Sequence, residues 1–228
     1  MNSISKIIEE NKKSIVLVDV HLPAEGTQIK INIKGTGFII SDDGRFITNA
    51  HVWRQIQDNE MAYAGVSVPG PTNEKGLTPY HRFKVEKIAI DDENDLALLK
   101  IISDKKFEPI KNLGNSETVK EGEDVIYIGY PLAPELLNMG FGITMTTNKC
   151  IISSVKRNMN GNLQFFLTDT HVNNGSSGSP LFNEQGEVIG VISAKISTRI
   201  PIQGGIIADI PANMGICRPI NLAKELLK

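Results

Sequence analysis

The sequence predicts an all-β fold, because short apolar stretches recur along the chain and tight-turn dipeptides separate them. The dipeptides Asp43-Gly44, Asn160-Gly161 and Gln185-Gly186 are typical of the short loops that join hairpin strands. Helical periodicity is confined to the two ends of the chain. Many short strands and few helices together indicate a β-sandwich or a pair of β-barrels.

The predicted strands follow one another in order along the chain. In the stretch 29–34, isoleucines alternate with polar residues, which is typical of a strand with one buried face. Most other stretches are short apolar runs bounded by turn signals, and these favour strands. The predicted strands cover residues 15–20, 29–34, 35–41, 45–48, 83–90, 96–101, 124–130, 149–155, 163–168 and 187–195.

Two short helices complete this assignment. Residues 3–12 begin with serines that can cap a helix and place isoleucines on one face. Residues 219–227 predict a second helix, because Pro219 suits a first helical position and apolar residues then repeat at helical spacing. We expect loops at residues 69–80 and around 131–142.

Composition excludes several classes of partner. The net charge is −2 and the isoelectric point is about 6.1, with the basic residues scattered along the chain. We therefore expect no nucleic-acid partner and no anionic membrane partner. No apolar run approaches the roughly 18 residues that a membrane span requires.

The first residues and the cysteines bear on the compartment. The stretch 1–14 is polar and lacks the apolar run of a secretory signal, so we expect a cytosolic location unless a leader has been removed. Cys150 and Cys217 have neither a CxxC partner nor metal-ligand spacing. We expect two free thiols, no metal and no cofactor.

Glycine and serine dominate the stretch Val-Asn-Asn-Gly-Ser-Ser-Gly-Ser-Pro-Leu-Phe, residues 172–182. A nucleophilic serine needs a base, a group that orients the base, and donors for the developing oxyanion. Ser177 has a glycine two positions before it and another directly after it, which lets backbone N–H groups converge. Ser176 lies inside the turn, and Ser179 precedes a proline. The pattern favours Ser177 as nucleophile, with a plain hairpin loop as the alternative.

The base is expected to be one of four histidines. His21 and His81 lie where surface exposure is expected, and His171 lies six positions before Ser177. His51 ends an apolar strand after a glycine-bounded hairpin in GTGFIISDDGRFITNAHVW, so it is the favoured base. Taken alone, the pattern also allows His51 a purely structural role.

An orienting carboxylate should be partly buried. The acids at 91–93 are expected in a solvated turn, whereas Asp95 opens an apolar strand and is expected to be carried inward. His51, Asp95 and Ser177 then occur in the order His, Asp, Ser.

On these residues the chain resembles the chymotrypsin-like serine proteases, and most closely the protease domain of the HtrA/Deg branch without its PDZ domain. The similar segments are GTGFIIS, ITNAHV, NDLALLKI, VIYIGYP, LTDTHVNNGSSGSPLFNEQGEVIGVIS and GICRPINLAKELL. The resemblance implies one peptidase domain over 1–228 with two perpendicular six-stranded barrels, at about 14–115 and 120–218, and the site in the cleft between them. It also implies a polypeptide substrate, and it leaves the oligomeric state open.

The resemblance also implies a role for each residue of the site. Ser177 is the nucleophile, His51 is the general base and acid, and Asp95 orients the histidine. The N–H groups of Gly175 and Ser177 form the oxyanion hole. Ser193 supports the aspartate, and the strand that continues through Ala194 and Lys195 pairs with the substrate backbone.

The resemblance also identifies residues of a specificity pocket, and the chain departs from the family pattern in three respects. His171, Val172 and Gly215 correspond to the pocket for the residue before the scissile bond. A valine floor favours small aliphatic residues, and a histidine at the base favours acidic or amide ones instead. Ser179 replaces a second glycine, and Ser176 replaces the aspartate that trypsins pair with a freed N-terminus, which argues against trypsin-like activation. Without a PDZ domain, trimer assembly and peptide-driven activation are not implied.

Two other functions stay open on the sequence. A non-catalytic module of the same fold would bind peptides or a partner, and the departures at Ser176 and Ser179 are what favour it. A regulatory protease domain of a longer protein would perform the same chemistry on a dedicated substrate.

Overall fold

A computed structural model describes residues 3–23, 29–57, 63–201 and 207–228. Within these residues the chain forms two closed antiparallel barrels of six strands each, which confirms the all-β prediction and the pair of barrels. The first barrel contains β1 Ile15–Pro23, β2 Ile29–Ile39, β3 Arg45–Thr48, β4 Tyr63–Pro69, β5 Tyr80–Asp91 and β6 Leu96–Ile101. The second contains β7 Asp124–Gly129, β8 Thr146–Arg157, β9 Leu163–Thr168, β10 Pro180–Phe182, β11 Val188–Pro201 and β12 Ile207–Pro219.

Strand order shows how each barrel closes. The first runs β1-β2-β3-β6-β5-β4 and closes through β1 against β4, and the second runs β10-β11-β12-β9-β8-β7 and closes through β7 against β10. Four short helices accompany the strands in the described residues: α1 Ser3–Asn11, α2 Ala50–Gln57, α3 Ala133–Asn138 and α4 Ile220–Glu225. No described helix is long and apolar enough to cross a membrane.

The barrels share one apolar cluster as well as having a core each. In β1, Val16 and Val18 face the interior of the first barrel, whereas Ile15 and Leu17 join a cluster that also contains residues of the second barrel. Strands β6 and β7 are divided in the same way. Burial on both faces explains why these strands are continuous apolar runs in the sequence.

A buried carboxylate ties three strands of the first barrel together. Asp19 on β1 has no exposed side-chain surface, and it accepts hydrogen bonds from Ser67 Oγ on β4 at 2.6 Å and from Arg82 Nε on β5 at 2.8 Å. Desolvating a carboxylate is unfavourable, and such a group is tolerated when it is paired and hydrogen-bonded. The same contacts hold β4 between β1 and β5. Strand β4 is not among the strands predicted from the sequence.

Helix α1 of the first half packs on the second barrel. Ile7 is buried in the shared cluster, with Ile4 and Ile8 partly buried beside it. The helix ends one residue earlier than the predicted helix 3–12 and continues as a single 3₁₀ turn over residues 12–14.

Helix α4 at the other end packs against the segment between the barrels. Lys224 Nζ donates to the carbonyl of Gly114 at 2.6 Å. Pro219 precedes this helix as its N-cap instead of occupying its first turn, and the helix is shorter than the predicted 219–227.

Two helices replace predicted irregular or extended structure. His51 follows strand β3, as expected, but it lies in the first turn of α2, where Val52, Trp53 and Ile56 are buried. Helix α3 lies inside the predicted loop 131–142. A proline stands in its first turn, which is a common start signal of a helix. The predicted loop 69–80 agrees with the connection between β4 and β5.

Candidate active site

A histidine and an aspartate from the first barrel form the centre of the site. His51 Nδ1 lies 2.8 Å from Asp95 Oδ2, and the backbone N–H of His51 donates to Asp95 Oδ1 at 2.9 Å. An ionised carboxylate only accepts hydrogen bonds, so the pairing places the imidazole proton on Nδ1. In the neutral imidazole, Nε2 of His51 then carries the lone pair that can take up a proton.

The carboxylate of Asp95 is held in its charged form. Burial raises the pKa of the Asp95 carboxyl, but hydrogen bonds from the His51 ring, from Ser193 and from the His51 backbone outweigh burial, so the pKa lies below its ordinary value. Ser193 Oγ donates to Asp95 Oδ2 at 2.6 Å. Asn49 Nδ2 donates to the backbone carbonyl of Asp95 at 2.9 Å. These contacts fix the position of Asp95 as well as its charge.

The turn before β6 explains how Asp95 reaches this position. The carboxylate of Asp91 accepts from the backbone N–H of Asn94 at 3.0 Å and from Asn94 Nδ2 at 2.6 Å, which closes a local turn. Asp92 and Glu93 are exposed on that turn. Asp95 follows with φ of 55°, a left-handed conformation that aspartate tolerates better than most residues.

The loop between β9 and β10 supplies backbone donors. The N–H groups of Ser176, Gly178 and Ser179 donate to the carbonyls of Asn173, Ile192 and Ser176 at 3.1, 2.8 and 3.0 Å, respectively. Among the described residues, the N–H groups of Gly175 and Ser177 have no acceptor. The loop therefore leaves uncommitted the two N–H groups that the resemblance assigns to an oxyanion hole.

Two glycines are required for this loop to pack. Gly175 and Gly178 have φ values of 92° and 87°, which disfavour any side chain. A Cβ atom at Gly175 would lie 2.2 Å from the carbonyl oxygen of Tyr130, and one at Gly178 would lie 2.0 Å from that of Thr36. Both distances are far below van der Waals contact, so the glycines bring the loop against neighbouring backbone.

The hydroxyl of Ser177 is bonded away from the histidine. Ser177 Oγ donates to the carbonyl of Ser193 at 3.0 Å, and in the described residues no hydrogen bond joins it to His51. Ser193 therefore contacts both Asp95 and Ser177. The structure places Asp95 in hydrogen-bond contact with both His51 and Ser193, and it joins Ser177 to this group through Ser193.

Of the three residues expected to line a specificity pocket, Val172 and Gly215 lie next to each other. Val172 is buried in the core of the second barrel, and a Cβ atom at Gly215 would lie 2.5 Å from Val172 Cγ2. His171 is half-buried, and its carbonyl accepts from the Tyr127 hydroxyl at 3.3 Å.

The strand expected to bind the substrate backbone is part of the second barrel. Ala194 and Lys195 lie on β11, where their backbone pairs with Ile216 and Gly215 of β12. A register shift in this pairing lies between Ile192 and Ala194, beside Ser193. The side chains of Ala194 and Lys195 lie outside the described part of the structure.

The two serines that depart from the family pattern are both buried. Neither Ser176 Oγ nor Ser179 Oγ has a hydrogen-bond partner among the described residues. Gly129 makes room for the larger residue, since a Cβ atom there would lie 2.0 Å from Ser179 Oγ. The serine at 179 therefore fits without displacing the loop.

Both cysteines are free and buried in the core of the second barrel. Burial raises the pKa of the Cys150 thiol to about 12, and it raises the pKa of the Cys217 thiol well above its ordinary value. Neither thiol is therefore a nucleophile at neutral pH. In the described part of the chain, no three His, Cys, Asp or Glu side chains are grouped so that they could hold a metal ion.

Two residues that hold the site are not predicted by the sequence patterns. Asn49 fixes the backbone of Asp95, and Thr36 contacts the loop that carries Ser177. The signal for Thr36 was its place between two glycines, Gly35 and Gly37, which indicates close packing of that strand against another backbone.

Proteins similar in sequence carry protease names. The chain is 30% identical over 217 residues to serine protease HTRA1 of Xenopus tropicalis, a match that covers 87% of this chain and 40% of the relative. It is 33% identical over 195 residues to a probable periplasmic serine endoprotease, DegP-like, of Halomonas elongata, covering 85% and 36%. The chain spans less than half the length of each relative.

The expected cytosolic location is wrong. It rested on the lack of an apolar run near residue 1, and the DegP-like relative of Halomonas elongata is named as periplasmic. A signal peptide is removed from a mature chain, so a missing apolar run carries no information about the compartment.

Fold and family agree. The solved structure of Deg5 matches with a TM-score of 0.68 and 22% identity, covering 98% of this chain and 91% of Deg5, which shows the common fold. A family model described as trypsin-like peptidase domain matches residues 35–191, and this segment includes His51, Asp95 and Ser177. The chain therefore belongs to the trypsin-like peptidases, as a relative of the HtrA and DegP serine proteases.

Proposed function

We propose that this domain is a serine endopeptidase in which Ser177 is the nucleophile, His51 the general base and acid, and Asp95 the group that orients the histidine. The observation that carries the proposal is the 2.8 Å contact between His51 Nδ1 and Asp95 Oδ2, which Ser193 connects to Ser177. The two uncommitted N–H groups next to that serine support it.

The proposed reaction begins when the Ser177 hydroxyl turns from the Ser193 carbonyl toward His51. Ser177 Oγ attacks the scissile carbonyl carbon, and its proton passes to His51 Nε2. The carbonyl oxygen becomes an oxyanion that accepts hydrogen bonds from the N–H groups of Gly175 and Ser177. Asp95 stays ionised and stabilises the imidazolium, because its pKa is lowered.

Collapse of the tetrahedral intermediate breaks the carbon–nitrogen bond. The leaving amine takes the proton from His51, and the acyl group remains on Ser177 as an ester. Water then attacks the ester with His51 again acting as base, and the carboxylic acid product leaves. The proton returns to Ser177, so the cycle balances.

The substrate is proposed to be a polypeptide that pairs with the strand 193–195. A pocket bounded by Val172 and Gly215 would be apolar and would suit a small aliphatic residue before the scissile bond, because even a Cβ atom at Gly215 would lie 2.5 Å from Val172 Cγ2. The alternative, an acidic or amide residue, would require His171 to face the same pocket. His171 is half-buried, so its side chain is partly open to solvent.

Two variants test the proposed nucleophile. Ser177→Ala should reduce peptide hydrolysis on the order of 10⁶-fold, with unchanged melting, because the variant lacks the attacking oxygen. Ser176→Ala should lose far less, since its buried hydroxyl transfers no proton. A fluorophosphonate probe with intact-mass readout should label the wild type once and leave Ser177→Ala unlabelled. Equal labelling of Ser177→Ala and wild type would falsify the assignment.

A second candidate function rests on the bond between Ser177 Oγ and the Ser193 carbonyl. If that bond persists in solution, the hydroxyl stays away from His51 and the domain is a peptide-binding module. The same probe decides between the two functions. A binding module takes up no fluorophosphonate but still binds peptides, which calorimetry would detect.

We propose an exported compartment for this chain, after its periplasmic DegP-like relative. Because the chain spans less than half of such relatives, a regulatory protease domain of a longer protein remains an alternative with the same chemistry. Fractionating cells that produce the protein, with antibody detection, tests the compartment. Recovery with cytosolic markers alone would reject export.

A further inference from the structure

Thr36 lies where the first barrel meets the loop that carries Ser177. It is on β2 and has no exposed surface. Its hydroxyl donates to the carbonyl of Gly175 at 2.7 Å, and its backbone N–H donates to the carbonyl of Ser177 at 2.7 Å. The same hydroxyl oxygen accepts from the backbone N–H of Tyr130 at 3.1 Å. One residue of the first barrel thus holds two carbonyls of a second-barrel loop.

Glycines make these contacts possible on both sides of the interface. A Cβ atom at Gly35 would lie 2.8 Å from the Ser177 carbonyl oxygen, and one at Gly178 would lie 2.0 Å from the Thr36 carbonyl oxygen. Strand β2 and the loop therefore meet backbone to backbone. Thr36 provides the hydroxyl at this junction.

The glycine at 175 needs an external constraint. Glycine takes up many backbone conformations at similar energy, so the sequence alone does not hold the peptide groups on either side of Gly175 in one orientation. In the structure both neighbouring carbonyls are held: Asn174 accepts from the N–H of Leu132 at 2.8 Å, and Gly175 accepts from Thr36 Oγ1. In a trans peptide the N–H points away from the carbonyl, so holding the Asn174 carbonyl fixes where the Gly175 N–H points.

We infer that Thr36 is a positioning residue for the oxyanion hole, acting through its hydroxyl on the Gly175 carbonyl. This inference rests on the proposed function, because it assumes that the Gly175 and Ser177 N–H groups bind the developing oxyanion. Donors that are held in place before reaction need no reorganisation when charge develops, and this is the source of their catalytic effect. The Gly175 carbonyl belongs to the peptide between Gly175 and Ser176, which lies between the two peptides that carry the Gly175 and Ser177 N–H groups. Loss of the hydroxyl therefore leaves both donors present but frees the peptide that sets their orientation relative to each other.

The hydroxyl is specifically required, because it donates and accepts at once. Valine has the shape of threonine but leaves the Gly175 carbonyl and the Tyr130 N–H without partners. Serine keeps both hydrogen bonds and loses only a methyl group. The pair Thr36→Val and Thr36→Ser therefore separates the hydroxyl from packing.

The test is the rate at which a fluorophosphonate probe labels Ser177, measured over a range of probe concentrations. The maximal labelling rate of Thr36→Val should fall about 10- to 100-fold, somewhat less than the loss of an oxyanion donor itself, while the half-saturating probe concentration changes by less than about threefold. Thr36→Ser should stay within about threefold of the wild type in both. Ser67→Ala removes a buried hydroxyl bond elsewhere in the first barrel, so it should lower the melting temperature without slowing labelling.

The outcomes are distinguishable. A wild type that takes up no probe would overturn the proposed function and this inference with it. A wild type that labels normally, together with Thr36→Val labelling at the same maximal rate, would overturn the positioning role alone. If Thr36→Val does not fold, Thr36→Ala is compared with Thr36→Ser, because these variants differ only in the hydroxyl. Equal rates for that pair would reject the role.

Discussion

The two barrels contribute to the site in different ways. The first provides side chains, His51 and Asp95, which a helix, a turn and several hydrogen bonds hold within the barrel itself. The second provides mostly backbone N–H groups, on a loop whose carbonyls are held by hydrogen bonds from residues outside it. The proposed acid–base pair is therefore assembled mainly within one barrel, whereas the proposed oxyanion donors depend on the contact between both barrels.

Among the variants that compare the two barrels, the largest effect is expected where the first barrel loses its carboxylate. Asp95→Asn should lower turnover about 10⁴-fold, because an amide can donate to Nδ1 and so stabilise the wrong tautomer of His51. Peptide hydrolysis at neutral pH measures the loss. Asp92→Asn is the matched control, since Asp92 is an exposed acid three positions earlier that pairs with Arg54 at the surface. Equal activity of the two variants would contradict the role of Asp95.

A smaller effect is expected in the second barrel's loop. Gly175→Ala should lower turnover about 10²- to 10³-fold, because a Cβ atom would collide with the Tyr130 carbonyl and displace an oxyanion donor. Gly161→Ala is the control: its φ is 81°, so it carries a similar left-handed penalty, but a Cβ atom there meets nothing within 4 Å. It should lose about 1–2 kcal/mol of stability and keep its activity. A fully active Gly175→Ala would show that the loop tolerates displacement.

A third variant tests the contact from the second barrel to the first. Ser193→Ala removes a hydrogen bond to a charged carboxylate and should lower the free energy of unfolding by about 1.5–3 kcal/mol at pH 7. Ser154→Ala, which loses a solvent-exposed bond to Glu121, should lose measurably less stability than Ser193→Ala. Urea unfolding measures both.

The stability lost in Ser193→Ala should depend on pH. The pKa of Asp95 is lower in the folded protein than in the unfolded chain, so the stabilisation is complete above the unfolded value of about 3.9 and disappears as pH falls through the folded value. The gap between wild type and Ser193→Ala should therefore close only in acid. A gap that stays constant down to the lowest pH would mean that Ser193 does not act through the carboxylate charge.

The smallest effect is expected at the specificity pocket. His171→Ala should change the residue preference before the scissile bond little if the proposed pocket is formed by Val172 and Gly215. Such an apolar pocket would discriminate between aliphatic side chains by only about 1–3 kcal/mol per methylene. Cleavage of a peptide library at pH 6 and pH 8 measures the profile. Strong wild-type cleavage after Glu or Asp that disappears in His171→Ala would show that His171 faces the pocket.

Patterns in short stretches of sequence predicted the elements that short-range interactions determine, such as apolar strands and amphipathic helices. Strands β1, β6 and β9 were found because they are apolar runs, and the approximate place of the helices at the two ends followed from periodicity. Strand β4 was missed because Gly65 and Ser67 interrupt its apolar pattern. Ser67 is polar because its partner, Asp19, lies 48 residues earlier in the chain.

The same distinction applies to the site. The sequence suggested Asp95, His51 and Ser177 as the proposed triad, because each lies in a distinctive local motif. The glycines on either side of Thr36 indicate close packing, but they do not identify its hydroxyl partner Gly175, which lies 139 residues away. The bond from Ser177 to the Ser193 carbonyl is also a tertiary contact that spacing does not predict.

The apolar cluster shared by the barrels has a consequence for how the chain is made. Strand β1 is buried on both faces, and the hydroxyl of Tyr130, just after β7, donates to the Ile15 carbonyl at 3.2 Å. A ribosome releases β1 long before β7, so half of its apolar surface has no native partner during that interval. Helix α1 likewise has no packing partner until the second barrel has been synthesised. The growing chain therefore exposes apolar surface that chaperones can bind until most of the chain has left the ribosome.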